Sequence, residues 1–250
     1  MNNNDKTHPL CLLIGGSSEI GVAIAYEFAT IGYDIVLAGR DLESINIISK
    51  DIAIRFGVKT YTHFVDILSI PSQQGLISAL PEIPEVVIFS IGILGNQEQA
   101  QIDFEHAKQI IDINFTYPIF LLNYFANEFE KRKFGSLIGI SSVAGDRGRK
   151  SNYIYGASKA AFTAYLSGLR NRLSKSNIHI LTVKPGFVAT KMTSHLNLPS
   201  KFTITAEQVA KDTIKAFKRK KDIIYSSSVY KIIMFVVKHI PERIFKKLSI

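Results

Sequence analysis

Short apolar runs alternate along the chain with longer stretches in which apolar residues recur at helical spacing. Six runs read as strands: Leu10 to Ile14, Ile35 to Ala38, Thr60 to Val65, Val86 to Phe89, Leu137 to Ile140 and His179 to Val183. Strand and helix in regular succession predict a parallel sheet covered on both faces. The expected class is therefore α/β, a doubly wound parallel sheet with helices on both faces. A chain of 250 residues suits one such domain, and no linker-like composition divides it.

The first run leads into Gly15-Gly16-Ser17-Ser18-Glu19-Ile20-Gly21 and then an apolar helical pattern through Phe28. A glycine-rich strand-to-helix turn lets the backbone approach a pyrophosphate while the helix N-terminus faces its charge. Gly15, Ser17, Ser18, Ile20 and Gly21 are thus candidate cofactor contacts, and a single-domain Rossmann fold is expected. Gly39 and Arg40 end the second run, where an NAD-selective site would place an acidic residue for the ribose. A guanidinium there suits a 2′-phosphate, which favours NADP(H) over NAD(H). Asp66, after the third run, either meets the adenine edge or caps the next helix.

Ser142, Tyr155 and Lys159 carry the candidate chemistry. Positions i and i+4 share a helix face, so Lys159 is expected beside Tyr155, favouring its phenolate. A phenol titrates near ~10, so acid–base work at neutral pH asks for a shift of about three units, about 4 kcal/mol. Ser142, at a strand end, is placed to hydrogen-bond the reacting oxygen. Tyr-x-x-x-Lys alone is a common spacing, and the surrounding motifs are what make it specific. Together they resemble the short-chain dehydrogenase/reductase family over nearly the whole chain. The matching positions are the glycine loop, Asp66, Gly92, Asn114 in Ile113-Asn114-Phe115, Ser142 in Ser141-Ser142-Val143-Ala144-Gly145, Tyr155, Lys159, and Pro185-Gly186 leading through Val188 to Thr190.

That resemblance implies NAD(P)-dependent carbonyl reduction. Asn114 would kink a helix and hold a water relaying protons to Lys159, and Ser142 and Tyr155 would bind the carbonyl. Lys159 would hold the nicotinamide ribose, with Pro185 to Thr190 embracing the nicotinamide. It also implies homo-oligomers built on the helices around Asn114 and Tyr155, where Ala157, Ala160, Ala161 and Ala164 permit close contact. Two positions depart from the family pattern. Glu19 replaces the usual middle glycine, and Phe89-Ser90-Ile91-Gly92 replaces Asn-Asn-Ala-Gly. An acidic group beside a pyrophosphate is repulsive unless it points away or finds a partner.

Charge changes the picture at the C-terminus. From Lys211 to Ile250 eleven Lys and Arg oppose three Asp and Glu, whereas the rest of the chain is nearly balanced. In 229–250, Ile232, Ile233, Phe235, Val236, Val237, Ile240, Ile244, Phe245 and Leu248 are interleaved with Lys231, Lys238, Arg243, Lys246 and Lys247. Six consecutive apolar residues from Ile232 are too few to span a bilayer but suit a segment lying in its surface. Packing over the cleft or on a neighbouring subunit is the other reading. The division expected is a Rossmann-type domain over 1–228 and this basic amphipathic segment over 229–250, belonging to the same domain or facing a membrane. Pro241 is expected to break the segment into two short helices. No nucleic-acid partner is expected, because the cations are threaded through Ile, Phe and Val and no reading motif appears.

The stretches 15–21, 92–95, 144–149, 190–196 and 238–250 narrow the resemblance to a subfamily of reductases acting on polyprenyl-phosphate-linked 2-keto pentoses. This implies a lipid-linked sugar substrate, a flavin oxidase partner that makes the ketone, and a cytoplasmic position at the inner face of the membrane. The polar start Met1 to Pro9 lacks the order of a secretory signal. Cys11, the only cysteine, reads as a buried structural thiol. The six histidines show no paired spacing, so no metal site is expected.

Overall fold

The computed structural model describes residues 8–248. Most of Met1 to Pro9 and the last two residues of the 229–250 segment lie outside the described residues. One sheet of seven parallel strands runs in the order β3-β2-β1-β4-β5-β6-β7. The strands are β1 Leu10–Ile14, β2 Asp34–Gly39, β3 Thr60–Phe64, β4 Val86–Phe89, β5 Gly135–Ile140, β6 Ile178–Pro185 and β7 Ile223–Ser226. The six predicted runs match the first six strands to within two residues. β7 was not foreseen: it is a four-residue edge strand that is only partly buried, so it carries no continuous apolar run.

The first seven helices are α1 Glu19–Thr30, α2 Leu42–Phe56, α3 Ile70–Ala79, α4 Gln97–Ile102, α5 Phe104–Ile111, α6 Pro118–Arg132 and α7 Tyr153–Leu173. After β6 come α8 Ala206–Lys218, α9 Ser228–His239 and α10 Glu242–Phe245. The central strands are buried from end to end because helices cover both faces. Successive side chains of β1 point to opposite layers. Leu10, Leu12 and Ile14 join Leu121, Phe125 and Phe129 of α6 and Phe162 and Leu166 of α7. Cys11 and Leu13 join Ile24 and Phe28 of α1 and Val209 of α8. Burial pushes the Cys11 thiol far above its usual range, which fits the inert structural role expected of it.

Strand order reverses between β1 and β4, which are adjacent parallel strands. In doubly wound sheets that reversal opens the ligand crevice at the C-terminal strand ends. A third, smaller apolar cluster joins Val143, just after Ser142, to Tyr230, Met234 and Val237 of α9. Pro241 begins α10, so the C-terminal segment is two short helices, as its position suggested.

Candidate active site

The cofactor side of the crevice is shaped by backbone sterics. Gly15 has φ +102, a left-handed conformation, and a Cβ there would sit 2.7 Å from the Ser90 carbonyl oxygen. Both Gly15 and Gly16 donate backbone N–H bonds to Ala38 O at 2.9 Å, which ties the loop to β2. Ser18 caps α1, its hydroxyl accepting from Gly21 N, and it also hydrogen-bonds Ser90 Oγ at 2.8 Å. Such a cap contributes about 1 kcal/mol. The groove above, about 670 Å³, is lined by Gly15, Ser17, Ser18, Ile20, Arg40 and Gly92 among others. The expected phosphate-side contacts are therefore gathered on one wall, and Gly21 lies just inside α1.

Glu19 resolves its own difficulty. Its Oε2 accepts the backbone N–H of Lys191 at 2.6 Å, which directs the carboxylate to the loop after β6. Asp66 stands apart from the groove wall, which Val65 and Ile67 line instead. Its Oδ1 accepts from Leu68 N, forming a turn ahead of α3, whose cap is Ser69. The cap of α3 is thus Ser69 rather than Asp66.

A narrower pocket adjoins the groove, lined by Ser142, Tyr155, Lys159, Pro185, Gly186, Val188 and Thr190 with Ser141, Met192 and Thr193. Three of the four expected catalytic residues line it, and Asn114 stands behind Gly92, which does. Asn114 lies in a π turn, Asp112–Thr116, between α5 and α6, so the expected kink takes the form of an i→i+5 turn. Its amide nitrogen donates to Ile93 O and Ser158 Oγ, and its oxygen accepts from Ile93 N. Ser158 Oγ donates in turn to Tyr155 O at 2.7 Å. Asn114 thus clamps the β4 loop to the helix that carries Tyr155, with both amide hydrogens spent on protein. Gly92 leaves room for this meeting, since a Cβ there would lie 2.8 Å from Asn114 Oδ1 and 3.1 Å from Lys159 Nζ.

Ser142 lies two residues beyond β5 and caps the 3-10 turn, its hydroxyl accepting from Ala144 N at 3.1 Å beside Tyr155. Lys159 is 4% exposed and donates to Ile140 O at 3.2 Å, with its Nζ 5.8 Å from the Tyr155 ring centroid. Desolvation pulls its pKa down to about 8. The Tyr155 phenol was expected to be pulled down as well. Burial instead pushes it up to about 12, opposed by the hydrogen bond with Ser142. The reason is geometric: the ammonium lies over the ring and bonds the main chain, so desolvation outweighs it. A phenol so placed keeps its proton at neutral pH and can give it to a carbonyl oxygen.

A second network, not read from the sequence, braces the serine turn. Lys184 of β6 and Asp146, at the end of the 3-10 turn after Ser142, form an ion pair at 2.5 Å, with 7% and 3% side-chain exposure. Tyr225 of β7 donates to the other Asp146 oxygen at 2.6 Å. Residues so far apart in the chain leave no periodic signal. Tyr230 is placed similarly, its hydroxyl accepting from Phe187 N and donating to Phe202 O across the loop after Gly186.

A parallel sheet with a glycine cradle at its switch point, beside a buried lysine and a half-buried tyrosine and serine, defines a dinucleotide-dependent oxidoreductase. The family model described as short chain dehydrogenase matches residues 10–201, and the chain belongs to that family. It is an NAD(P)-dependent oxidoreductase. An uncharacterized oxidoreductase of Mycobacterium tuberculosis is 30% identical over 219 residues, 86% of each chain. One of Myxococcus xanthus is 28% identical over 201 residues, 79% of each chain. Among solved structures, a short-chain dehydrogenase from Sphingobium yanoikuyae in complex with NADPH superposes with a TM-score of 0.81 at 22% identity, covering 94% of this chain and 97% of that one. A 7beta-hydroxysteroid dehydrogenase superposes with a TM-score of 0.84 at 18% identity, covering 100% and 99%.

Proposed function

We propose that the protein is an NADPH-dependent reductase of a 2-keto pentose carried on a polyprenyl phosphate. The observation that carries this reading is the character of the segment beside the catalytic serine. Helix α9 buries Tyr230, Met234 and Val237 against Val143 and turns Val229, Ile232, Phe235 and Val236 outward, all four more than 40% exposed. Lys231 and Lys238 flank that apolar stripe. Apolar residues with cations at their edge suit a substrate whose lipid stays in an anionic bilayer, and they suit peripheral attachment to its surface. No described helix is long and apolar enough to cross a membrane. The stretches 144–149 and 238–250 also resemble the reductase component of the decaprenylphosphoryl-β-D-ribose 2′-epimerase system. In such a sequence a flavin oxidase supplies the ketone, and reduction yields the arabinose-configured product.

The cradle at Gly15 and Gly92 fits NAD(P)H, which supplies the hydride when bound. Arg40, exposed on the groove wall and without a carboxylate partner among the described residues, favours the 2′-phosphate form. Tyr155 donates its proton to the developing alkoxide, and Ser142 hydrogen-bonds the same oxygen. Lys159 holds the ribose and restores the proton to Tyr155. Ala157 and Ala164 are exposed on α7 and would allow a second copy to pack there, giving a homo-oligomer.

The second reading, reduction of another lipophilic ketone, rests on the same apolar stripe without the sugar. The two separate in a direct assay with NADPH of a synthetic prenyl-phosphoryl 2-keto pentose, simple ketones and 3-ketoacyl thioesters. The keto pentose should have the highest kcat/KM; a thioester or simple ketone turned over faster would overturn the sugar assignment.

A further inference from the structure

Two arginines stand two residues apart on the stretch between Ser142 and Tyr155, and the structure uses them differently. Arg147 is fully committed. Its Nη1 donates to the carbonyls of Val237 and Ile240 at 2.6 Å, its Nη2 donates to Glu242 at 2.9 Å, and its guanidinium lies 3.7 Å from the centroid of the Phe245 ring. It closes the end of α9 and holds α10. Arg149 has none of this. Its one side-chain contact within hydrogen-bond range is Met234 Sδ at 3.3 Å, a weak acceptor, and its buried Nε has no partner. No carboxylate pairs with it among the described residues.

A half-buried guanidinium without an acceptor is costly, and proteins keep such groups where a ligand completes them. The surroundings say where that ligand would lie. Arg149 O accepts from Asn152 N, just ahead of the helix that carries Tyr155. Met234, which Arg149 touches, packs beside Tyr230, and Tyr230 holds the loop after Pro185-Gly186. Arg149 is thus bracketed by the turn after Ser142, the start of α7, α9 and the loop after β6. Of these neighbours, Ser142, the start of α7 and the loop after β6 line the pocket at Tyr155. Two further buried atoms near the start of α7 lack partners, Asn152 Oδ1 and Gln97 Nε2, and Gln97 Oε1 accepts from Ile154 N.

We infer that Arg149 is the subsite for the phosphate of the substrate, which it grips between the keto sugar at Tyr155 and a lipid chain running along α9. This rests on the lipid-linked reading above and assigns its anionic group a partner. A guanidinium is the side chain best matched to a phosphate through paired N–H donors. Asn152 and Gln97 offer one acceptor and one donor to the hydroxyls of the sugar.

The test is calorimetric titration of the NADPH-saturated enzyme with geranyl phosphate, geraniol and inorganic phosphate, so that the cofactor's own phosphate sites are filled. Geranyl phosphate should bind at least about tenfold more tightly than geraniol. Arg149→Gln should abolish that preference while leaving NADPH affinity unchanged, and Arg149→Lys should keep part of it. If Arg149→Gln does not fold, the lysine variant reads the same preference. Equal binding of phosphate and alcohol by the wild type, or an undiminished preference in Arg149→Gln, overturns the subsite. Inorganic phosphate competing as well as geranyl phosphate would make it a free-anion site and overturn the lipid-linked assignment. A retained phosphate preference with no turnover of the keto pentose would remove the sugar and leave Arg149 its role. Undiminished keto-pentose turnover by Arg149→Gln would do the reverse.

Discussion

The cofactor groove and the substrate end of the same cleft are held by different forces. At the groove the wall is main chain: Gly15 and Gly16 hang from Ala38 O, and a Cβ at Gly15 would strike the Ser90 carbonyl. At the substrate end the wall is side chain: a buried ion pair between Lys184 and Asp146, Tyr225 and Tyr230 hydroxyls, and Arg147 strapping α9 and α10. Backbone sterics admit few variations and suit a part that holds a dinucleotide. Side-chain braces can be exchanged one at a time, which suits the part that chooses the ketone. Solved structures near 20% identity still superpose over nearly the whole chain, as expected when the shared element is main-chain geometry.

Variants can break this contrast. The largest effect is expected at the junction of the two regions: Tyr155→Phe should lower kcat about 10²- to 10⁴-fold by removing the general acid, with cofactor affinity nearly unchanged. Near-wild-type turnover in that variant would remove Tyr155 from the chemistry. On the side-chain-built end, Asp146→Ala leaves a buried ammonium unpaired and should cost about 3–5 kcal/mol in chemical denaturation. A loss under about 1 kcal/mol would mean that water reaches Lys184 and the brace is not a buried one. Where the groove meets the catalytic side chains, Gly92→Ala should weaken both NADPH binding and turnover, because its Cβ must displace Asn114 or Lys159. Intact binding would show that the β4 loop yields and that sterics do not set the groove.

The smallest effect is a pH dependence. The Lys159 ammonium is desolvated to a pKa of about 8, so its charge is present below that value and lost above it. Reductive kcat/KM should hold up to about pH 8 and then fall about tenfold per pH unit. Tyr155, pushed up to about 12, stays protonated throughout and adds no limb of its own. Stability carries the opposite sign. Between about 8 and the ordinary lysine value the unfolded chain binds more protons, so Lys159 makes the fold more stable as pH rises through that window. A reductive rate that is flat to pH 10 would show that the lysine charge is not needed.

Much of the groove was legible in the sequence because each signal is local. A glycine turn directly follows a strand, Arg40 ends the next one, and Tyr155 and Lys159 lie one helical turn apart. Six of seven strands were legible for the same reason, since burial on both faces writes itself as an apolar run. Edge strand β7 is half wet and left no such mark. Asp66 read equally as an adenine contact or as the cap of α3; the cap is Ser69, and the Asp66 carboxylate accepts from Leu68 N to close the turn before it.

By itself the sequence determined the α/β architecture and the oxidoreductase class, and it picked out the candidate residues that the fold brings together, because periodicity and short motifs encode local geometry directly. Only the tertiary structure decided which charged residues are spent and which are free. Arg147 and Arg149 are indistinguishable in the sequence, and Glu19 reads there as a defect. Whether a guanidinium finds two carbonyls, or a carboxylate finds the N–H of Lys191, depends on segments that meet only when the sheet is closed. The direction of the Tyr155 shift was decided there too, since desolvation is a property of everything packed around a group rather than of its neighbour four residues on.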